Sequence, residues 1–302
     1  MKRGRLILAG IAVVAFAAMV AASTYVYALG PPPLGRHLVY SRLVFDGNGK
    51  VVHAYATPQG RWRFQATVDE VDPRFLKLLF AYEDKRFYEH HGVDLRALGR
   101  AALQWITSGH VVSGGSTLTM QVARLLEPRR HRTIEAKLRQ IVRAIEIEML
   151  LSKKQVLSLY LTLAPYGGNL EGIRAASLAY FGKEPRKLTL AQAALLVALP
   201  QSPERRRPDR YPQAAREARN RVLERALAAG ELSAHEVADA EARPVPHERE
   251  HLRMLTPHRA EKIVAAHPDR AEFSPGKRPQ VPLRELDGMD PRRAGVAPFT
   301  GE

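Results

Sequence analysis

The feature that most constrains this chain is an uncharged apolar run near its N-terminus, from Leu6 to Leu29. A run of that length can cross the hydrocarbon core of a bilayer as a single helix. Three basic residues lie among the first five, which predicts a cytoplasmic tail at 1–5 and export of everything after residue 29. The small residues at Ala21–Ser23 leave a cleaved signal peptide as the alternative, but the length of the run favours an uncleaved anchor.

Charge and cysteine content narrow the classes of function. The chain has 302 residues, enough for one or two domains, and a formal charge of +15. Such a charge favours an anionic partner, namely nucleic acid, anionic lipid headgroups or a phosphorylated substrate, although a basic tail would give the same excess. There is no cysteine, which excludes disulfides, thiolate catalysis and zinc held by cysteine.

The region after the apolar run reads as a linker and a small β region at 30–66. Three consecutive prolines end at Pro33 and predict a stiff linker. Two β-like runs, Leu38–Phe45 and Lys50–Ala56, flank an Asp-Gly-Asn-Gly turn, a strong hairpin pattern. A third run at Arg61–Ala66 is expected to add a strand to this β platform, in which we see no chemistry.

The remainder predicts a mainly α domain. The segment Thr133–Leu151 is long and periodic, which predicts an apolar helix face formed by Leu138, Ile141, Val142, Ile145 and Met149. The predicted helix starts are Asp72 before Pro73, Asp94, Ser116 or Thr117, and the capping boxes Ser152–Gln155, Thr189–Gln192 and Ser233–Glu236. The pattern decays after Pro244, so the segment 226–302 is expected to be a helical extension followed by a poorly ordered or truncated tail.

The chemistry is concentrated between Ala81 and Arg124. Two adjacent carboxylates, Glu83 and Asp84, close an apolar helix, and a glycine-hinged loop then enters a helix with a hydroxyl-rich first turn. Helix N-termini bind phosphate, and a carboxylate can serve as a general base. Together these features predict chemistry on a phosphorylated or pyrophosphorylated substrate.

These motifs resemble a known family. The pattern E-D-x-x-F-x-x-H-x-G-x-D from Glu83, followed by G-G-S-T-x-T-x-Q from Gly114, is similar to that of the bacterial family 51 glycosyltransferases. These are the peptidoglycan glycosyltransferase domains of class A penicillin-binding proteins. The resemblance covers Val68–Arg225 and continues through Ser152-Lys153, Tyr160-Leu161, Tyr180–Lys183 and Leu199–Pro203. It implies a lysozyme-like, mainly α fold with a small second lobe, and a glycosyltransferase domain at 67–225.

The resemblance also implies a reaction. Glu83 would act as the general base that takes the proton from the 4-hydroxyl of the acceptor, lipid II. That oxygen would attack C1 of the growing chain with inversion, and undecaprenyl pyrophosphate would leave. Asp84 is predicted to be the second catalytic residue, which either orients a neighbouring group or makes Glu83 more basic by its like charge, with partial burial acting in the same direction. Without the resemblance, an ion pair of Glu83 with Lys85 or Arg86 is the competing interpretation.

The same resemblance implies a substrate channel. Thr117 and Gln121 would line it, one helical turn apart, and Lys137 near Arg139 would contact the donor pyrophosphate. Arg124 replaces the usual lysine and keeps its charge. His90 is interpreted as a hydrogen-bonding brace and Phe87 as holding the turn. The full set of predicted substrate-binding residues is Phe87, His90, Ser116, Thr117, Gln121, Arg124, Lys137 and Gln140, and no metal ligands are predicted.

Some positions depart from the common family pattern. Gln140 stands where a second glutamate is usual, and Met120 where a first glutamine is usual. Together with Arg207–Asp209, these replacements resemble the penicillin-binding protein 1C subgroup. A neutral Gln140 is a weak metal ligand, so magnesium or manganese dependence is left open; no nucleotide or redox cofactor is expected.

The segment Ser274–Lys277 fits the S-x-x-K motif of a transpeptidase formally, but a turn is the favoured interpretation. The tail is too short to form a transpeptidase domain, which favours a truncated chain.

The leading hypothesis is therefore a single-pass protein of the inner membrane whose catalytic domain faces the periplasm and polymerises lipid II. Apolar residues between the two motifs, such as Trp105, Ile106, Val111 and Val112, are expected to dip into the bilayer. Its expected partners are lipid II, the growing glycan strand, membrane lipids and other cell-wall synthesis proteins. The alternatives are a catalytically weak scaffold that binds lipid II, and a lysozyme-like hydrolase. A nucleic-acid partner is not expected, since no such motif is present.

Overall fold

The computed structural model describes residues 2–35, 37–45, 51–108, 115–128, 133–250 and 272–273. The predicted hairpin turn at 46–49, Val111, Val112, Gly114 and the 274–277 segment lie outside those ranges. Within the described ranges the helices are α1 (Lys2–Leu29), α2 (Pro73–Glu83), α3 (Leu95–Ser108), α4 (Leu118–Leu126), α5 (Ile134–Leu150), α6 (Lys153–Leu163), α7 (Ile173–Phe181), α8 (Leu190–Ala198), α9 (Pro212–Ala228) and α10 (Ala234–Ala242). The prediction of a mainly α fold preceded by an apolar helix is confirmed.

Helix α1 is long and apolar enough to cross a membrane. Its segment Gly10–Leu29 has a mean hydropathy of 1.9 and none of it is buried. Within that segment only Tyr25 and Leu29, in the last two turns, are even partly covered by the rest of the chain. A signal sequence would meet the same criteria of length and composition, so the orientation of α1 and its retention stay predictions.

The predicted hairpin forms, but the third strand goes elsewhere. Strand β1 (Arg42–Phe45) pairs antiparallel with β2 (Val51–Tyr55), with Leu43 opposite Ala54. Strand β3 (Trp62–Arg63) instead pairs in parallel with β4 (Leu170–Glu171), inside the helical domain. The strand β5 (Glu272–Phe273) pairs in parallel with β1. The expected β platform therefore lacks the third strand predicted for it, and the pairing of β3 with β4 is accompanied by an ion pair between Arg63 and Glu171 at 2.5 Å.

The predicted helix starts are confirmed wherever the structure describes them. Asp72 accepts a hydrogen bond from the Arg74 amide, and Pro73 occupies the first helical position. Thr117, rather than Ser116, caps α4. The Asp94 carboxylate accepts the amide of Ala97 at 3.0 Å. Complete capping boxes begin α6, α8 and α10 at Ser152, Thr189 and Ser233.

The core is centred on α8, which is buried on nearly every side. It packs against α2 and α9 through large apolar residues such as Phe75, Leu195 and Leu223. A separate small cluster joins α3, α4 and α5 through Val93, Met120 and Ala144. The carboxylates Glu83 and Asp84 lie at the end of α2, where Asp84 binds the first residue of α4.

Helix α5 turns inward a different face from the one predicted. Met149 is 76% exposed and Leu138 is 54% exposed, whereas Arg143, Ala144 and Ile147 are buried. Ala144 packs against Met120 of α4, and of the predicted face Ile141 joins this small cluster. Leu103 and Ile106 of α3 are, like Met149, more than 60% exposed.

Candidate active site

Glu83, the last residue of α2, is held by two amide side chains. Nε2 of Gln121, on α4, donates to its Oε2 at 2.8 Å. Nε2 of Gln201 donates to its Oε1, also at 2.8 Å. The carboxylate is half-buried, and each of its oxygens keeps a lone pair beyond the one used by an amide. Glu83 is therefore fixed in direction yet able to accept a proton.

The competing ion pair of Glu83 is not formed. Arg86 binds Glu89 at 2.7 Å and Asp94 at 2.9 Å. Lys85 is exposed on the far side of the turn and no ion pair between it and Glu83 is found among the described residues. The carboxylate of Glu83 is thus left to the two neutral amides, which is the arrangement expected of a base that must remain accessible.

Gln201 was not among the predicted site residues. It lies in a 3₁₀ turn, Leu199–Gln201, that follows α8. Its Oε1 accepts hydrogen bonds from Arg206 at 3.2 Å and from the Tyr82 hydroxyl at 3.3 Å, which directs its NH₂ group toward Glu83. The sequence Leu199–Pro203 was noted only as part of the family resemblance and as a helix end, and nothing in its local pattern indicates a contact with Glu83.

Asp84 points away from Glu83 and into the protein. Its Oδ2 accepts the backbone amide of Leu118, the first residue of α4, at 2.9 Å. Both of its oxygens lie 3.1 Å from Nε2 of His90. The residue is 7% exposed. Asp84 therefore joins the end of α2 to the start of α4.

Other motif residues that the sequence placed in the channel are buried beneath it. Phe87 is 1% exposed and stacks on Phe80 with 5.5 Å between ring centroids. His90 is buried against Asp84, which fits the brace predicted for it. The Thr117 hydroxyl donates a hydrogen bond to the Gly92 carbonyl at 2.6 Å and accepts one from the Met120 amide. These three buried side chains support the site without being exposed in it.

Gly92 is required by close packing of the turn on α5. Its φ is +86°, in the left-handed region. A Cβ added there would lie 2.4 Å from the carbonyl oxygen of Ala144, a backbone atom that cannot move aside. The glycine of the first motif thus lets the turn that carries His90 lie directly against α5.

A pocket of about 950 Å³ lies beside Glu83, and Gln201 belongs both to its wall and to the partners of Glu83. Four predicted substrate-binding residues line this pocket: Ser116, Arg124, Lys137 and Gln140. The pocket has six basic side chains and two acidic ones: Arg61, Arg63, Arg124, Lys137, Arg139 and Arg143, against Glu127 and Glu171. This excess of cations makes it suitable for a polyanion such as a pyrophosphate.

Lys137 is a half-buried cation of the pocket. It donates a hydrogen bond to the hydroxyl of Ser116. Burial lowers the pKa of Lys137, and the positive charge of Arg124 lowers it further. An anion bound between these two residues would relieve both effects, so the structure favours occupation of this end of the pocket by negative charge.

The two departures from the family pattern occupy different environments. Gln140 is half-buried in the pocket wall. Met120 is 1% exposed and forms part of the small apolar cluster, so its replacement of a glutamine does not alter the pocket. Over the ranges that the structure describes, no group of three or more histidines or carboxylates is placed to hold a metal ion.

Tyr160 is a buried neighbour of Glu83 that sequence reasoning noted only as a family match. Burial raises its pKa well above the ordinary value, and the negative charge of Glu83 raises it further. The phenol therefore stays neutral, and it supplies low-dielectric surroundings to the carboxylate without adding charge.

Comparisons with known proteins identify the family of this chain. The sequence profile of the transglycosylase family matches residues 48–227. Penicillin-binding protein 1C of Escherichia coli is 48% identical over 214 residues, which is 70% of this chain and 28% of that protein. Penicillin-binding protein 1A of Aquifex aeolicus is 36% identical over 207 residues, 68% of this chain and 28% of that protein. The chain thus spans little more than a quarter of the length of these relatives.

Among solved structures, penicillin-binding protein 1A from Haemophilus influenzae matches with a TM-score of 0.39 and 18% identity, over 77% of this chain and 25% of that one; a score at this level carries no argument. The family profile covers more than half of the chain, and the similarity to a 1C protein agrees with the subgroup predicted from Gln140 and Met120. The chain belongs to the transglycosylase family.

Proposed function

We propose that this protein is a peptidoglycan glycosyltransferase that polymerises lipid II into glycan strands, with Glu83 as the general base. The observation that carries the proposal is the carboxylate of Glu83, oriented by Gln121 and Gln201 at the edge of a cationic pocket. The names of the relatives and the matched family profile support the same class of reaction.

The geometry suggests a division of the site into two halves. The acceptor hydroxyl would approach Glu83, which takes its proton as the oxygen attacks C1 of the donor sugar. The donor's pyrophosphate would lie in the pocket beside Lys137, Arg124 and Ser116, where positive charge stabilises the leaving group. Because attack and departure occur on opposite sides of C1, the product would have inverted configuration.

The membrane helix and the outer apolar side chains support a lipid-linked substrate. We propose that α1 anchors the chain in the inner membrane with residues 67–225 on the periplasmic side, as the catalytic unit. The exposed side chains of Ile106 and Leu103 would lie in the outer leaflet. A substrate that carries an undecaprenyl chain would then reach the pocket without leaving the bilayer.

The test is a polymerisation assay. Detergent-solubilised protein is incubated with labelled lipid II, with and without magnesium or manganese, and glycan chains are resolved on a gel. The proposal predicts polymer from the wild type, none from Glu83→Gln, and normal polymer from Glu89→Gln, a matched change at an exposed glutamate of the same turn. If wild-type protein binds lipid II but forms no polymer, the enzyme is excluded and a lipid II-binding scaffold remains.

A further inference from the structure

The side chain of Arg143, on α5, reaches the end of the membrane helix. It is 1% exposed, and its Nη2 donates to the carbonyl of Leu29 at 2.7 Å. Its Nη1 donates to the carbonyl of Gly30 at 2.9 Å. Leu29 is the last residue of α1, so one guanidinium closes the C-terminal end of the helix that is expected to span the bilayer.

The same guanidinium forms part of the pocket wall. Its Nη2 lies 3.1 Å from Oε1 of Glu127, whose Oε2 accepts a hydrogen bond from Arg139 at 2.6 Å. Both Glu127 and Arg139 line the pocket with Arg143. Burial alone would raise the pKa of Glu127, but the hydrogen bond from Arg139 and the charge of Arg143 outweigh it and lower that pKa. Glu127 therefore stays ionised, and the pair holds Arg143 firmly.

The charge and the shape of the guanidinium make the contacts of Arg143 favourable. The last carbonyls of a helix have no partner within it and carry the negative end of its dipole, so a buried cation there is favourable. A guanidinium also has a planar set of donors that can bind two carbonyls and two carboxylates at once. Glu146 supplies the second carboxylate, at 2.8 Å.

Little else in the described chain holds α1. Up to the last two turns, its residues from Gly10 onward are exposed. The segment that follows is not a free spacer, because Leu34 and Leu38 pack on the core of the domain. The end of α1 is thus fixed at one point by Arg143 and immediately afterwards by the packed linker.

We propose that Arg143 is a positioning residue that couples the membrane anchor to the pocket wall, so that the direction of α1 sets the height and tilt of the pocket over the bilayer. The effect of this coupling on the reaction rests on the proposed function, because the height of the pocket matters only when the substrate is linked to a lipid and is presented at a fixed depth in the bilayer. The contact itself is a property of the chain and can be measured without any reaction.

The coupling is tested by a distance measurement between spin labels. The chain has no cysteine, so single cysteines can be placed at the exposed positions Tyr27 on α1 and Met149 on α5. In full-length protein reconstituted in bilayers, we expect one narrow distance distribution for the otherwise unaltered chain. Arg143→Met should broaden it, and Arg143→Lys, which keeps the charge but lacks the planar donors, should broaden it less.

A matched control separates this coupling from a general loss of stability. Arg219 is also 1% exposed and donates to backbone carbonyls at the end of α10, those of Glu241 and Arg243. Arg219→Met should lower stability and leave the distribution narrow. An unchanged distribution in both Arg143 variants, or equal broadening in Arg219→Met, would overturn the proposal.

Activity provides a second measurement. With lipid II in bilayers, Arg143→Met should lose at least roughly tenfold in rate, the scale expected when a substrate is misplaced by a fraction of an ångström to an ångström. With a short-chain lipid II analogue in detergent, the loss should be clearly smaller, because no bilayer fixes the depth of the substrate. Equal losses in the two media would contradict the role of depth. If wild-type protein forms no polymer in either medium, the proposed function fails while the distance measurement still decides the coupling.

Discussion

Gln201 donates a hydrogen bond to Glu83 at 2.8 Å although the two residues are 118 positions apart in sequence. The contact joins the end of α2 to the turn after α8, and the opposite oxygen of Glu83 is held by Gln121 from α4. Three separate parts of the chain therefore determine where this carboxylate points. A base held in this way has its direction set before the substrate arrives, which reduces the reorganisation needed during reaction.

The first prediction concerns Gln201. Gln201→Leu removes one of the two amides that orient the Glu83 carboxylate, while Gln121 still holds the other oxygen. A base that is less well directed should react more slowly, so kcat should fall by about tenfold or more. The measurement is the initial rate of polymerisation at saturating lipid II.

A suitable control for this change is Gln213→Leu. Gln213 is exposed on α9 and donates a hydrogen bond to Glu217, so its replacement should leave kcat unchanged. An unchanged kcat for Gln201→Leu would show that the hydrogen bond from Gln201 is not needed to orient Glu83.

The second prediction separates Asp84 from Glu83. Asp84→Ala would leave the buried amide of Leu118 without a partner, which costs about 1–3 kcal/mol. Asp84→Asn can keep that hydrogen bond through its carbonyl oxygen, while its NH₂ group donates to Nε2 of His90 in the other tautomer. Thermal unfolding should therefore show a lower midpoint for Asp84→Ala than for Asp84→Asn.

Activity completes this comparison. At a temperature well below its unfolding midpoint, Asp84→Asn should retain a measurable rate of polymerisation. Glu83→Gln should have no measurable rate, although its unfolding midpoint should lie near that of the wild type. An inactive Asp84→Asn protein with wild-type stability would instead assign Asp84 a direct part in the chemistry.

Local features of this fold could be predicted from sequence because their causes are local. A capping box such as Ser152–Gln155 is formed by residues three apart, and the hairpin is set by its turn and alternating pattern. The motif around Glu83 was sufficient to identify the family and the candidate base. The motif does not predict the directions of the two carboxylates. Glu83 is half-buried and bound to Gln201 of the pocket wall, whereas the adjacent Asp84 is buried, because α2 ends between them.

Features that depend on distant packing were not predictable in the same way. Gln201 reaches Glu83 only because α8 delivers the following turn to the end of α2. The inward face of α5 was predicted wrongly since its largest apolar residues were assumed to be buried. In a chain with a membrane surface, large apolar residues such as Met149 can face outward, and a buried arginine such as Arg143 can face inward when carboxylates and carbonyls surround it.

The third prediction is a pH dependence of anion binding at Lys137. Its pKa is lowered by burial and by Arg124, so it should lose its proton at a lower pH than an exposed lysine does. Affinity for a short prenyl diphosphate, measured by calorimetry, should therefore fall as pH rises toward the ordinary lysine range. Lys137→Arg should stay flat over that interval, because arginine remains protonated.

The stability of the empty protein should change in the opposite direction. The pKa of Lys137 is lower in the folded protein than in the unfolded chain. At pH values between these two pKa values the unfolded chain binds more protons, so the free energy of unfolding rises with pH over that interval. This rise should vanish in Lys137→Met. Lys153→Arg, at a lysine paired with Glu148 outside the pocket lining, is the control and should alter neither measurement.

The last prediction concerns Gln140, which lies one helical turn from both Lys137 and Arg143 on the pocket side of α5. Gln140→Glu would place a carboxylate beside the expected pyrophosphate, and the repulsion should weaken binding of a prenyl diphosphate by about five- to tenfold without divalent ions. Magnesium, bound by the new carboxylate and the phosphates together, should restore that loss. Wild type and the neutral variant Gln140→Met should respond to magnesium equally and less than Gln140→Glu. If the wild type, Gln140→Met and Gln140→Glu all respond equally to magnesium, residue 140 does not lie beside the bound diphosphate. The neutral side chain of Gln140 would then not explain any difference in metal dependence from other members of the family.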